Sequence, residues 1–307
     1  MAPDDPVPVA GTVWRPGRSV ELAATLGPLL RGAADPAMRW ADGALWRSGW
    51  TPAGPGTLRL RAGRDGVEAA AWGPGGGWLV DSVPDLLGVR DDPSGFRPRH
   101  PLLREVARRH PGLRIPRSRL VLDSLVPAVL EQKVTSVEAR RSWCELLRRH
   151  GEPAPGPAPR GLRVPLPPWG WRDLPGWEWH RAGVDGARVR TVRAAATVAR
   201  RLEDACELPV DVARRRLRAV PGVGPWTAAE VATRALGDAD AVAVGDLHLP
   251  RLVGWALAGR PTDDAGMLEL LEEYRPHRAR VIRLVELSGV RAPRFGPRAA
   301  PRDMRSM

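Results

Sequence analysis

The chain has 307 residues, 43% of them apolar and 27% charged, enough of both for a packed core and a solvated surface over about two domains, which excludes wholesale disorder. It contains no apolar run of the roughly 18 residues that a membrane span needs, and its first ten residues lack a basic, apolar leader, so a cytoplasmic protein without a membrane partner is expected. Cys144 and Cys206 are the only cysteines, too few for a disulfide framework, a four-cysteine zinc site or an iron–sulfur cluster, and both are expected to be reduced and structural.

Net charge is +12, unevenly placed: residues 1–95 sum to −2 and the remainder to +14. An Arg-rich face of this kind fits a polyanion such as nucleic acid, since phosphate contacts release counterions, although an Arg-rich genome gives the same bias. In chain order, Ser19 reads as the N-cap of an amphipathic helix over 19–31, and residues 57–61 and 67–72 read as strands, broken by Gly and Pro at 52–56 and 73–77. These elements predict a small α+β domain over 1–95. From residue 96 to 290 the pattern is helical, with helices expected at 102–110, 119–133, 136–150, 187–205, 210–219, 225–236, 247–258, 264–273 and 276–289. Thr135-Ser136-Val137-Glu138 has the form of a capping box. The Pro- and Gly-rich stretch 151–170 reads as a loop within the helical domain, the nearby Trp169, Trp171, Trp177 and Trp179 as its anchor, and 291–307 as a basic tail.

The stretch richest in chemistry is Val220-Pro221-Gly222-Val223-Gly224-Pro225-Trp226-Thr227-Ala228. A helix ends at Val220, the next four residues make a tight turn, and Pro225 suits the first position of a new helix. The glycines let another chain approach the backbone closely, and N–H groups at the start of the new helix are anion donors. A hairpin of this form can hold a phosphodiester without reading its sequence, though a plain helix–helix turn has the same form. Farther along, Asp246 precedes another helix, where an aspartate is ordinarily an N-cap.

Taken together, residues 220–228, the loop 241–245 and Asp246 resemble the helix–hairpin–helix, Gly/Pro-rich loop and aspartate signature of the base-excision DNA glycosylases, the HhH-GPD superfamily. Within it the chain is most similar to the AlkA type, 3-methyladenine DNA glycosylase II, with further matching segments at 111–116, 128–134, 183–185, 188–194 and 274–278. The resemblance implies a mainly α fold with a small N-terminal α+β domain, double-stranded DNA containing damaged bases as partner, a monomer, and a nucleoid-associated location in the cytoplasm. It implies Asp246 as the catalytic carboxylate, which stabilises the positive charge that builds on the sugar and orients water. Bifunctional relatives have a lysine where Trp226 stands, so a monofunctional enzyme releasing alkylated purines is expected, with Trp226 stacking on the extruded base. Gln132, Glu230 and Glu286 are the other expected pocket residues; Lys133, Pro221, Gly222, Val223, Gly224, Thr227 and Arg278 are expected at the DNA. No cofactor or metal is expected beyond a monovalent cation at the hairpin carbonyls, which the sequence neither supports nor opposes.

Three positions depart from the family pattern. Glu230 and Glu286 stand where aromatic residues are common, and either line the pocket or pair with the nearby Arg234, Arg280 and Arg283. Lys133, the one lysine of the chain, stands where the family inserts an apolar wedge into the gap left by the flipped nucleotide. It can support that gap, attack an abasic sugar in a glycosylase/lyase, or be inert. A lesion-binding protein without catalysis is the remaining alternative.

Overall fold

The computed structural model describes residues 7–293. Five antiparallel strands, β1 (Ala10–Trp14), β2 (Met38–Ala41), β3 (Ala44–Thr51), β4 (Gly54–Gly63) and β5 (Gly66–Trp72), form one sheet in the order β1-β5-β4-β3-β2. Period-two alternation sets its face: Leu58 pairs with Ala71 and Leu60 with Ala69, and all four point into the core. Only two of these strands were legible as apolar runs. The others are held by their neighbours, and the expected break at 52–56 is a tight hairpin whose Gly54, at φ 110°, already belongs to β4.

The helix expected over 19–31 is shorter. It runs as α1 (Leu22–Leu26) and passes into a 3₁₀ turn over Gly27–Leu29, where Pro28 lacks the N–H that would continue an α-helix. Its N-cap position is Glu21 rather than Ser19, and the Glu21 carboxylate instead meets His110 Nδ1 at 2.8 Å and accepts from the Gly112 N–H at 2.9 Å. Helices α2 (Gly76–Asp81) and α3 (Val83–Leu86) follow β5, α2 beginning inside the stretch 73–77 that the sequence marks as a break, and close the sheet core with Leu79 and Val83.

The rest is helical: α4 (Pro101–Arg109), α5 (Val121–Leu130), α6 (Ser136–His150), α7 (Pro168–Asp173), α8 (Gly176–Arg181), α9 (Gly186–Thr197), α10 (Ala199–Glu203), α11 (Val210–Arg218), α12 (Pro225–Val231), α13 (Leu249–Ala258), α14 (Asp264–Glu272) and α15 (Arg278–Leu287). Thr135 and Glu138 close the capping box of α6 reciprocally. The expected 119–133 helix is trimmed at both ends, where Arg119 and Lys133 adopt left-handed backbone at φ 57° and 56°. The expected 187–205 helix breaks at Val198, and 225–236 changes from α to one π turn over Ala232–Leu236, ended by Gly237 at φ 74°.

Segment 151–170 contains a two-stranded ribbon, β6 (Glu152–Pro153) with β7 (Arg163–Val164), whose Leu162 packs with Trp46 and Trp72 of the sheet. Beyond it Trp171 and Trp179 are buried, Trp171 stacked on Trp143 and Trp179 tilted against Trp171, whereas Trp169 and Trp177 are exposed. Ala24 and Ala37 from the N-terminal part pack into the helical clusters, so the sheet and the helices share buried contacts. The expected basic tail lies almost wholly outside the described residues.

Candidate active site

The hairpin between α11 and α12 is pinned from below. Leu217, Val220 and Val223 are buried, and the Val223 N–H closes the turn on the Val220 carbonyl at 3.0 Å. Gly222 sits at φ 88°, and a Cβ there would run into Thr191 Oγ1 of α9, so both the backbone conformation and the close approach require glycine. Gly224 takes the N-cap position in extended backbone and Pro225 opens α12. The tip, Pro221 and Gly222 with Pro225, is exposed.

Gln132, expected in the base pocket, is half-buried and braces this hairpin: its Nε2 donates to the Gly222 carbonyl at 3.0 Å and to Thr227 Oγ1 at 2.8 Å. Thr227, expected at the DNA, is 2% exposed and serves as the other end of that brace. The end of α5 and the start of α12 are therefore positioned as one unit.

Trp226, next to Thr227, reaches from α12 to the following loop and donates its Nε1–H to Asp246 Oδ2 at 2.9 Å. The other oxygen, Oδ1, accepts from the His248 and Leu249 N–H groups at 2.7 and 2.8 Å, capping α13. Three donors thus hold the half-buried carboxylate in one orientation, one of them borne by the residue expected only to stack.

One helical turn after Trp226, Glu230 Oε2 pairs with the Arg234 guanidinium at 2.8 Å. Arg234 also donates to the Glu230 carbonyl and, across to the N-terminal part, to the Pro28 carbonyl at 2.8 Å. Alongside lie Arg31 and Glu131, paired at 3.2 Å. Burial pushes the Glu230 carboxyl above its ordinary range; Arg234 and Arg31 oppose that shift, and the fields of Glu131 and Asp246 reinforce it. Glu230 thus sits within electrostatic reach of the aspartate, in a cluster of two acids and two arginines. Glu286 is placed differently: it pairs with Arg283 at 2.9 Å, and Arg283 in turn holds the Ala24 carbonyl.

Arg278, expected to grip DNA, is corrected by its burial. It is 7% exposed and forks onto Asp240, Nε to Oδ1 at 2.9 Å and Nη2 to Oδ2 at 2.6 Å, which anchors α15 to the loop after α12. His277 beside it is buried edge-on against Phe96. Lys133 is exposed at the tip of the α5–α6 turn. Two residues beside the site had no signal in the sequence: Arg190, exposed on α9 next to Thr191, and Leu247, 80% exposed directly after Asp246. Among the described residues no cluster of His, Cys, Asp and Glu is arranged to hold a metal, and no helix is long and apolar enough to cross a membrane.

No family model matches the chain. The probable bifunctional transcriptional activator/DNA repair enzyme AlkA of Mycobacterium tuberculosis is 34% identical over 183 residues, 58% of this chain and 36% of that protein. The chain thus spans little more than a third of the length of the curated relative it matches. Among solved structures, 3-methyladenine DNA-glycosylase from Archaeoglobus fulgidus aligns with a TM-score of 0.72 at 16% identity, over 91% of this chain and 97% of the other. The 8-oxoguanine glycosylase/lyase of Clostridium acetobutylicum aligns with a TM-score of 0.68 at 12% identity, over 93% and 100%. The same enzyme in complex with double-stranded DNA gives 0.64 at 11% identity, over 90% and 96%. The fold is that of the helix–hairpin–helix DNA glycosylases, as the motif implied.

Proposed function

We propose that the chain is a monofunctional DNA glycosylase of base-excision repair, which extrudes a damaged purine from double-stranded DNA and releases the free base by hydrolysis. The observation that carries this reading is the juxtaposition of a backbone-gripping hairpin with an oriented carboxylate: Gln132 ties Gly222 to Thr227, and the adjacent Trp226 holds Asp246. The exposed hairpin tip and the N–H groups at the start of α12 suit a phosphate 3′ or 5′ of the lesion, without base readout.

Cleavage of the N-glycosidic bond leaves the deoxyribose with oxocarbenium character. Asp246, held by three donors, supplies the fixed negative charge that stabilises it and directs a water to the anomeric carbon. The water's hydroxyl joins the sugar, its proton passes to the carboxylate or to solvent, and the base departs with the glycosidic electron pair. Trp226 has no nucleophilic amine, so an abasic site is the product and no covalent adduct forms. The resemblance to AlkA supports alkylated purines as substrates.

Base release from methylated duplex DNA, measured by mass for the wild type and Asp246→Asn, tests the reading. Free purine from the wild type alone, with DNA binding retained by the variant, is expected. Equal release by Asp246→Asn would remove the central claim, and a borohydride-trapped adduct lost in Lys133→Ala would replace it with a glycosylase/lyase.

A further inference from the structure

We propose that Glu230 is the specificity-determining residue of this site, selecting an extruded base whose edge carries adjacent N–H donors, a guanine-type purine, over one recognised by its ring faces. This inference rests on the glycosylase reading above.

Trp226 and Glu230 lie on the same side of α12, one turn apart, and Trp226 is bonded to Asp246, so a base beside the aspartate has Glu230 within its surroundings. The side chain is braced: Arg234 grips its carboxylate and its own carbonyl, and is itself tied to Pro28. The Arg234 contact falls on Oε2 and the side chain keeps 19% exposure, which leaves Oε1 as the acceptor for an occupant beside it. A carboxylate only accepts hydrogen bonds, and desolvating it without a donor is costly, so an occupant that brings N–H groups is favoured over one that does not. The N1–H and 2-amino group of a guanine-type ring are adjacent donors on one edge. Bonds of this kind discriminate far more steeply than apolar contact does.

Two other modes of recognition are weaker here. The ionisable groups that act on Glu230 are Arg234, Arg31, Glu131 and Asp246, so its surroundings are charged and favour a polar contact over stacking. Attraction of a cationic base is also reduced, because Glu230 and Glu131 are each neutralised by an arginine and what remains is a directional acceptor.

The test is single-turnover release from duplexes carrying one 8-oxoguanine, hypoxanthine, 7-methylguanine or 1,N6-ethenoadenine. The first offers both donors and no charge, the second one donor, the third both donors with a charge, and the fourth no donor on that edge. The expected order places 8-oxoguanine and 7-methylguanine first, hypoxanthine next and ethenoadenine last, with about a hundredfold or more between the ends. Glu230→Gln, which still accepts from Arg234 and keeps the side-chain volume, is expected to slow the two guanine-type bases about tenfold and leave ethenoadenine unchanged. Release of ethenoadenine as fast as 8-oxoguanine by the wild type, or an equal slowing of every base in Glu230→Gln, overturns the selectivity and leaves the glycosylase reading standing. Release of none of the four, with the wild type matching Asp246→Asn, overturns both.

Discussion

The Trp226 indole N–H and Asp246 Oδ2 are 2.9 Å apart, so the carboxylate expected to act on the sugar is oriented by the side chain expected to stack on the base. Trp226→Phe keeps a ring and removes the donor. Loss of one charge-assisted bond in the site is expected to slow base release about ten- to hundredfold, with DNA affinity changed little. Single-turnover rates beside binding isotherms check this; an unchanged rate would make the contact incidental.

Asp246 has a second task at the start of α13. Asp246→Asn retains an oxygen for the His248 and Leu249 N–H groups, whereas Asp246→Ala leaves both uncapped. Both substitutions are expected to abolish release, but only alanine should lower stability, by about 1 kcal/mol in denaturant unfolding. Equal stability of the two variants would show that the cap contributes nothing.

Gly222→Ala is expected to strike fold and DNA binding together, since the residue is at φ 88° against Thr191. A cost of about 2 kcal/mol or more combines left-handed strain with the clash. Adding Thr191→Ala removes the clashing hydroxyl and should restore part of the stability while leaving the strain. A double variant no more stable than Gly222→Ala would place the whole cost in the backbone.

Arg278→Ala discriminates a structural arginine from a DNA contact. With its guanidinium forked onto Asp240 in a buried setting, truncation is expected to cost about 3 kcal/mol of stability. The salt dependence of DNA binding should keep its slope, because no phosphate contact is lost. A slope reduced by about one unit would return Arg278 to the interface.

Two carboxyls around the start of α5 give stability a pH dependence of known sign. Burial pushes Asp123 up to about 7 against the opposing Arg47, and Glu203 up to about 7 against the Val121 and Leu122 N–H groups it accepts from. Both are raised above their unfolded values, so the protonated forms favour the fold: their contribution is full below about pH 4, declines as pH rises to about 7 and is flat above. Urea midpoints from pH 5 to 8 should therefore fall more steeply for the wild type than for an Asp123→Asn, Glu203→Gln variant. His277, whose burial lowers its imidazole below the usual value, acts in the opposite sense, and comparing the two proteins cancels it. Parallel profiles would show that the two carboxyls ionise as they do in the unfolded chain.

The sequence by itself determined the features that are local. A turn of Pro and Gly between two apolar-periodic helices needs no distant partner to be legible, so Pro221–Pro225 and the capping box at Thr135 and Glu138 were readable, as was the helical fold beyond residue 96. The spacing of Asp246 after that hairpin carried the family resemblance. Tertiary structure decided what each side chain does. Arg278 and Arg218 look alike in a sequence, yet one is buried on Asp240 and the other exposed before the hairpin, because a guanidinium's partner is chosen by the element packed against it. Strands β1, β2 and β3, with few apolar runs of their own, exist through the ladder that their neighbours complete. Gln132 became a strut because its hydrogen-bond partners lie on a chain segment far away in sequence that only the fold brings within 3 Å, whereas the Glu230–Arg234 pair, four residues apart on one helix, was among the pairings the sequence offered.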